Sequence, residues 1–172
     1  MKTLAVAILA VASLMLALPV QAEVPPCQPT FSGYSWAQMP IRYAVKDAIL
    51  RDDSRRAAEM WRSLGLQFQE DPAAISTIWA SPIGGSGAVT YLAIQHPPHI
   101  FAFTIRMDTT VIPPSERAAV LAHELGHAIG LDHPNPICSD TIMWTALKLF
   151  PGDLRARDQL YPSPFRIFLP SL

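Results

Sequence analysis

Residues 123–133 run His123-Glu124-Leu125-Gly126-His127-Ala128-Ile129-Gly130-Leu131-Asp132-His133. On a helix, His123 and His127 stand one turn apart on the same face, so their imidazoles can converge on one ion. Glu124 then lies beside the ion without having to ligate it. Gly130 can take the left-handed backbone that ends a helix and turns the chain, which swings His133 back as a third ligand. Three neutral imidazoles leave one position open on a tetrahedral zinc ion, the arrangement of a catalytic site; a structural site would use a fourth protein ligand. Zinc so held lowers the pKa of its bound water to about 7. Glu124 is placed to take that water's proton as general base and to return it to a leaving amine. The expected chemistry is metal-assisted peptide hydrolysis with one catalytic Zn2+ ion.

Outward from this stretch the chain alternates strands and helices. Pro113-Pro114-Ser115 precedes an Ala- and Leu-rich run at 116–129, a helix with Ser115 as expected N-cap and Gly130 as stop. Upstream, 52–64 carries Ala57, Met60, Trp61 and Leu64 at helical spacing, closed by Gly65. Strands are expected at 41–45, 66–69, 75–79, 88–94 and 100–107 from alternation, β-branched runs and flanking Gly or Pro. A short helix is expected at 153–161, stopped by Pro162. Strand, helix, then several strands gives an α+β fold with a mixed sheet. Residues 23–40 are Pro-rich and expected to be irregular, with Tyr34 and Trp36 anchoring them to the body.

The 172 residues carry 13 Lys+Arg against 14 Asp+Glu, a net charge of −1. That balance offers no basic face for nucleic acid, and half the residues being apolar argues against disorder despite 17 prolines. Part of the apolar excess is a leader: Met1-Lys2-Thr3, an Ala-rich apolar run at 4–20, and Val20-Gln21-Ala22 have the layout of a signal peptide cleaved after Ala22. The expectation is a secreted protein, extracellular or periplasmic. Residues 23–172 are expected to form one domain, a monomer without stable membrane association after cleavage, acting on protein or peptide substrates.

The extended zinc motif resembles that of the metzincin peptidases, in which a methionine turn follows the third histidine. Thr141-Ile142-Met143-Trp144 is similar to that turn, with Met143 beneath the metal. Within the clan the chain is most similar to the matrixins, the matrix-metalloproteinase-like group. Pro40-Ile41-Arg42-Tyr43 resembles their first strand, residues 57–68 their first helix and second strand, and Ile105-Arg106-Met107-Asp108 the strand before the active-site helix. Residues 153–161, ending Gln159-Leu160-Tyr161, resemble their closing helix. The resemblance spans most of residues 40–161, and only 123–143 is specific.

The resemblance implies a zincin-like fold: a five-stranded twisted mixed sheet over the active-site helix, with a small C-terminal subdomain after Gly130. It implies a substrate extended along the sheet's edge strand, here Ala88, Val89, Thr90, Tyr91 and Leu92. It also makes 144–150, with Trp144, Leu147 and Phe150, one wall of an apolar specificity pocket or ordinary core. Position 145 is Thr, so the tyrosine that ligates metal in some metzincins is absent. His96 and His99 do not have the spacing of the matrixin structural zinc site and read as surface histidines. Structural Ca2+ sites map to no residues here; Asp108 is the weak candidate.

Two readings of Cys27 stay open. An even cysteine count in an exported chain favours a disulfide with Cys138. Matrixin zymogens instead use a propeptide cysteine as a zinc ligand, and Pro25-Pro26-Cys27-Gln28-Pro29 faintly resembles that segment without its arginine and acidic residue. Two alternatives to an endopeptidase also remain: a zinc exopeptidase or short-peptide hydrolase on the same frame, and a zinc-bound module that binds peptides without cleaving them. The first would need a charged residue closing the cleft, and none is evident. Pseudoenzymes usually lose the base or a ligand, and Glu124 is intact.

Overall fold

The structure, a computed structural model, describes residues 28–84, 87–134, 140–145 and 148–162. The leader, Cys27, Cys138, Leu147 and the apolar tail 163–172 lie outside the described residues, as does any Cys27–Cys138 disulfide.

Alternation places Ile41, Tyr43 and Val45 on one face of a strand and Phe103, Ile105 and Met107 on the same face of another, all buried. In chain order the elements are β1 (Thr30–Phe31), β2 (Ile41–Val45), α1 (Arg51–Ser63), β3 (Phe68–Glu70) and β4 (Thr77–Ala80). Then come β5 (Ala88–Ile94), β6 (Ile100–Met107), α2 (Arg117–Ala128), β7 (Leu131–Asp132), α3 (Ile142–Thr145) and α4 (Pro151–Leu160). The main sheet has the order β3-β2-β4-β6-β5. Its first four strands run parallel, and β5 pairs antiparallel with β6 at the edge. The chain is therefore α+β, with a five-stranded mixed sheet and four α-helices among the described residues.

Helices α1 and α2 pack against each other, and α2 against β5 and β6. Their buried faces, Ala57, Ala58 and Trp61 on α1 with Leu121, Ala122, Leu125 and Ala128 on α2, join the sheet residues in one core. The indole N–H of Trp61 donates to the carbonyl of Ala122 at 2.7 Å, fixing α1 on α2 while satisfying a buried donor.

Three local expectations change. Ser115 is not the N-cap: α2 starts at Arg117 after Glu116, and no side chain caps it. Instead the Arg117 guanidinium donates to the carbonyls of Ile112 (3.2 Å) and Thr109 (2.9 Å), tying the helix start to the preceding loop. The strands expected at 66–69 and 75–79 begin two residues later, at Phe68 and Thr77; the stretch before Thr77 leaves Ile75 59% exposed. The N-terminal arm is also more regular than its prolines suggest. Thr30 pairs with Asp132 and Phe31 with Leu131, an antiparallel ladder that stitches the arm to the segment following α2. No described helix is long and apolar enough to cross a membrane.

Candidate metal centre

His123 and His127 project from α2, and His133 is returned to them by the turn at Gly130. The three rings have centroids 4.7–5.1 Å apart. One nitrogen from each lies within 4.8 Å of the others, a set that can hold a metal ion, and Nε2 of His123 faces Nε2 of His133 at 3.2 Å.

The tautomers follow from the neighbours. Nδ1 of His123 is 2.8 Å from the carbonyl of Ile142, and Nδ1 of His127 is 3.0 Å from that of Leu131. A carbonyl only accepts, so each Nδ1 carries the proton and each Nε2 presents a lone pair to the site. Burial lowers the pKa of both rings, with His127 pushed down to about 4, so both are in the neutral form that ligates metal. His133 is more exposed, and its Nδ1 stands 3.9 Å from the Asp132 carboxylate.

The carbonyl that orients His123 is itself held in place. Asp153, fully buried at the start of α4, accepts from the Thr141 hydroxyl at 2.6 Å and from the Ile142 backbone N–H at 2.9 Å. It also accepts from the Phe150 N–H at 2.8 Å, which caps the start of α4. A chain of contacts thus runs from α4 through residues 141–142 to the His123 ring. Met143 is buried beneath α2, its sulfur against Gly126, the residue just before His127.

A Cβ on Gly126 would lie 2.3 Å from Met143 Sδ and 3.2 Å from Trp61. Gly126→Ala is accordingly expected to lower stability by about 1–3 kcal/mol through overpacking. In a Met143→Ala background the same change should cost less, because the truncated side chain makes room. Urea unfolding of the four proteins measures this coupling, and additivity would remove the proposed contact.

The chain end of α2 is braced from two sides. The Trp36 indole N–H donates to the Ala128 carbonyl at 2.7 Å, and the Tyr161 hydroxyl to that of Ile129 at 2.8 Å. Both are carbonyls that a helix leaves without intrahelical partners. Gly130 has φ +101°, and its carbonyl accepts from the Ser32 N–H at 2.9 Å. The arm therefore holds the bend that carries His133.

The histidines line a cavity of about 410 Å3 with Glu124, Ser32, Leu131 and Asp132 on one side and Ala88, Val89, Thr90 and Leu92 of β5 on the other. Tyr91 points outward, 51% exposed. Glu124 is only 6% exposed. Burial holds its carboxyl above the usual range, opposed chiefly by a hydrogen bond from the Thr90 hydroxyl to Oε2 at 2.5 Å.

Trp144 is 44% exposed, and neither it nor Phe150 lines this cavity. His96 and His99 are exposed around the β5–β6 turn, away from the histidine trio. Asp108 has donors on both oxygens, Thr110 N–H and hydroxyl on Oδ1 and Ile83 N–H on Oδ2. These bonds, the Thr110 hydroxyl foremost, hold its carboxyl below the usual range.

Sequence spacing picks out the histidines, Glu124 and Met143. It passes over Asp153, Ser32 and the Thr90 hydroxyl, whose partners lie far along the chain. The one sequence hint for Asp153 is an acid in the first turn of a helix after a proline.

No family model and no curated protein matches the chain. Among solved structures, a chain of the "GM1 bound form of the ECX AB5 holotoxin" is similar at 18% identity and a TM-score of 0.42. The similarity covers 59% of this chain and 55% of that one, so the chain spans about half the length of that neighbour. A likeness of this size fixes neither fold nor function.

Proposed function

We propose that the chain is an exported zinc-dependent endopeptidase of metzincin type, closest in motif to the matrixins. The observation that carries this reading is the pairing, in one open cavity, of three converging imidazoles with the buried carboxylate of Glu124. The donors suit zinc: three imidazole nitrogens, with no thiolate and no fourth protein ligand among the described residues.

His123, His127 and His133 would hold the ion. When bound, zinc supplies a Lewis acid that activates water and polarises a carbonyl. Glu124 accepts the proton of the attacking water and delivers it to the amine that leaves, a role its burial favours by bringing its pKa nearer neutrality. Backbone groups of β5 face no further strand among the described residues, so a substrate peptide can add to that edge antiparallel or parallel and bring its scissile bond over the histidines. Met143 packs under α2 and keeps the helical histidines at their height.

Metal removal tests the reading. An excess of phenanthroline should abolish cleavage of an unfolded protein, and one equivalent of zinc should restore it. Fragment ends mapped by mass spectrometry should be internal. Progressive trimming from one end would favour the exopeptidase, and a zinc-loaded protein that binds peptide without cutting would be the binding module. Full activity in excess chelator would end the metal mechanism.

A further inference from the structure

We propose that Thr90 is a positioning residue for Glu124, its hydroxyl holding one carboxylate oxygen so that the other faces the cleft. The inference rests on the peptidase reading above and adds a residue that the zinc motif does not contain.

Thr90 lies mid-way along β5, opposite Ile105 of β6. Alternation turns Thr90 and Leu92 toward the cavity and Tyr91 toward solvent. The Thr90 hydroxyl stands 2.5 Å from Glu124 Oε2 and 3.0 Å from the Glu124 carbonyl. It has one proton to give, and the shorter contact is the stronger one. Oε1 of Glu124 makes no hydrogen bond among the described residues, and Glu124 lines the cavity.

A carboxylate on three side-chain torsions would otherwise sample several orientations in a cavity of about 410 Å3. Threonine is suited to prevent that, because its β-branch restricts χ1 and aims the hydroxyl. Proton transfer depends on the base being held at the right place, so the clamp acts on the chemical step. Thr90 also belongs to the strand on which a substrate would add. The residue that aligns the base is thus part of the ledge that receives the peptide, and the two events share one backbone.

The test compares the zinc-loaded protein with its Thr90→Val and Thr90→Ser variants on one internally cleaved peptide. The expected result is a kcat at least tenfold lower for Thr90→Val, with KM within twofold, and recovery to within threefold for Thr90→Ser. Should Thr90→Val not fold, Thr90→Ala carries the same comparison. An unchanged kcat, a change confined to KM, or failure of serine to restore turnover would each overturn the proposal.

A second readout does not need activity. Urea unfolding of the zinc-free protein, with Thr90→Val and Glu124→Ala singly and together, should be non-additive if the two side chains interact. With an inactive parent, non-additivity keeps the contact while the peptidase reading falls; additivity overturns the Thr90 proposal whatever the activity.

Discussion

Glu124→Gln is expected to leave the fold and the bound metal intact and to lower turnover by about a thousandfold or more. Glutamine has the shape of glutamate, and its amide oxygen can still accept from the Thr90 hydroxyl, so packing around the cavity is preserved. What disappears is the ability to take a proton, which for a general base is typically a factor of about 10²–10⁴ in rate. Stability should hold or rise slightly at neutral pH. Burial raises the Glu124 pKa, so the folded state carries the charged form at a cost, and a neutral amide removes that cost. Metal analysis by mass spectrometry, a thermal melt and kcat on one peptide test all three statements. Activity within tenfold of the parent would require another group as base.

Gly130→Ala should have the largest effect on stability. The residue has φ +101°, a region that side chains with a Cβ rarely occupy, and the added carbon would sit 2.0 Å from the carbonyl oxygen of Tyr34. Neither group yields easily, since the arm carrying Tyr34 is bonded to Gly130 through Ser32 and paired with β7. Strain and overlap together come to about 3–5 kcal/mol. For a chain of this size that is a fall in melting temperature of about 10 °C. Zinc affinity should fall with it, because His133 follows the displaced bend. Gly33→Ala is the control: its φ is +86°, yet nothing lies within 4 Å of the added carbon. It should cost only about 1 kcal/mol, the conformational part alone. Equal losses for the two variants would show that the contact with Tyr34 contributes nothing.

Much of this architecture is legible in local sequence, for reasons that particular residues make plain. The spacing of Ala57 and Trp61 marks α1, the alternation through Phe103, Ile105 and Met107 marks β6, and the prolines at 97–98 separate β5 from β6. Each is a short-range pattern, and the elements fall within a residue or two of it. The histidine spacing likewise predicts convergence, because a helix followed by a glycine bend permits little else. What local pattern does not carry is the partner of an isolated polar group. Ser32 finds Gly130, Thr90 finds Glu124 and Thr141 finds Asp153 only because the folded chain brings distant segments together. The N-terminal ladder escaped for the same reason, since two residues flanked by prolines and a glycine show no alternation long enough to announce a strand. The capping of α2 shows the converse: Ser115 has the right residue type at the right place, but Arg117 and its carbonyl partners set where the helix begins.

The ladder between β1 and β7 also bears on the order of events as the chain folds. Ser32 and Gly130 are 98 residues apart in sequence, so the loop their contact closes is among the slowest to form by chance encounter. The two helical histidines can meet as soon as α2 winds, but the third is set only when the beginning of the domain has returned to its far side. During synthesis the arm emerges early and must wait for 98 more residues before its partner exists. Under the proposed reading, tight capture of an ion would wait for that closure, and a nascent or partly folded chain would offer only a two-histidine site with weak hold on metal.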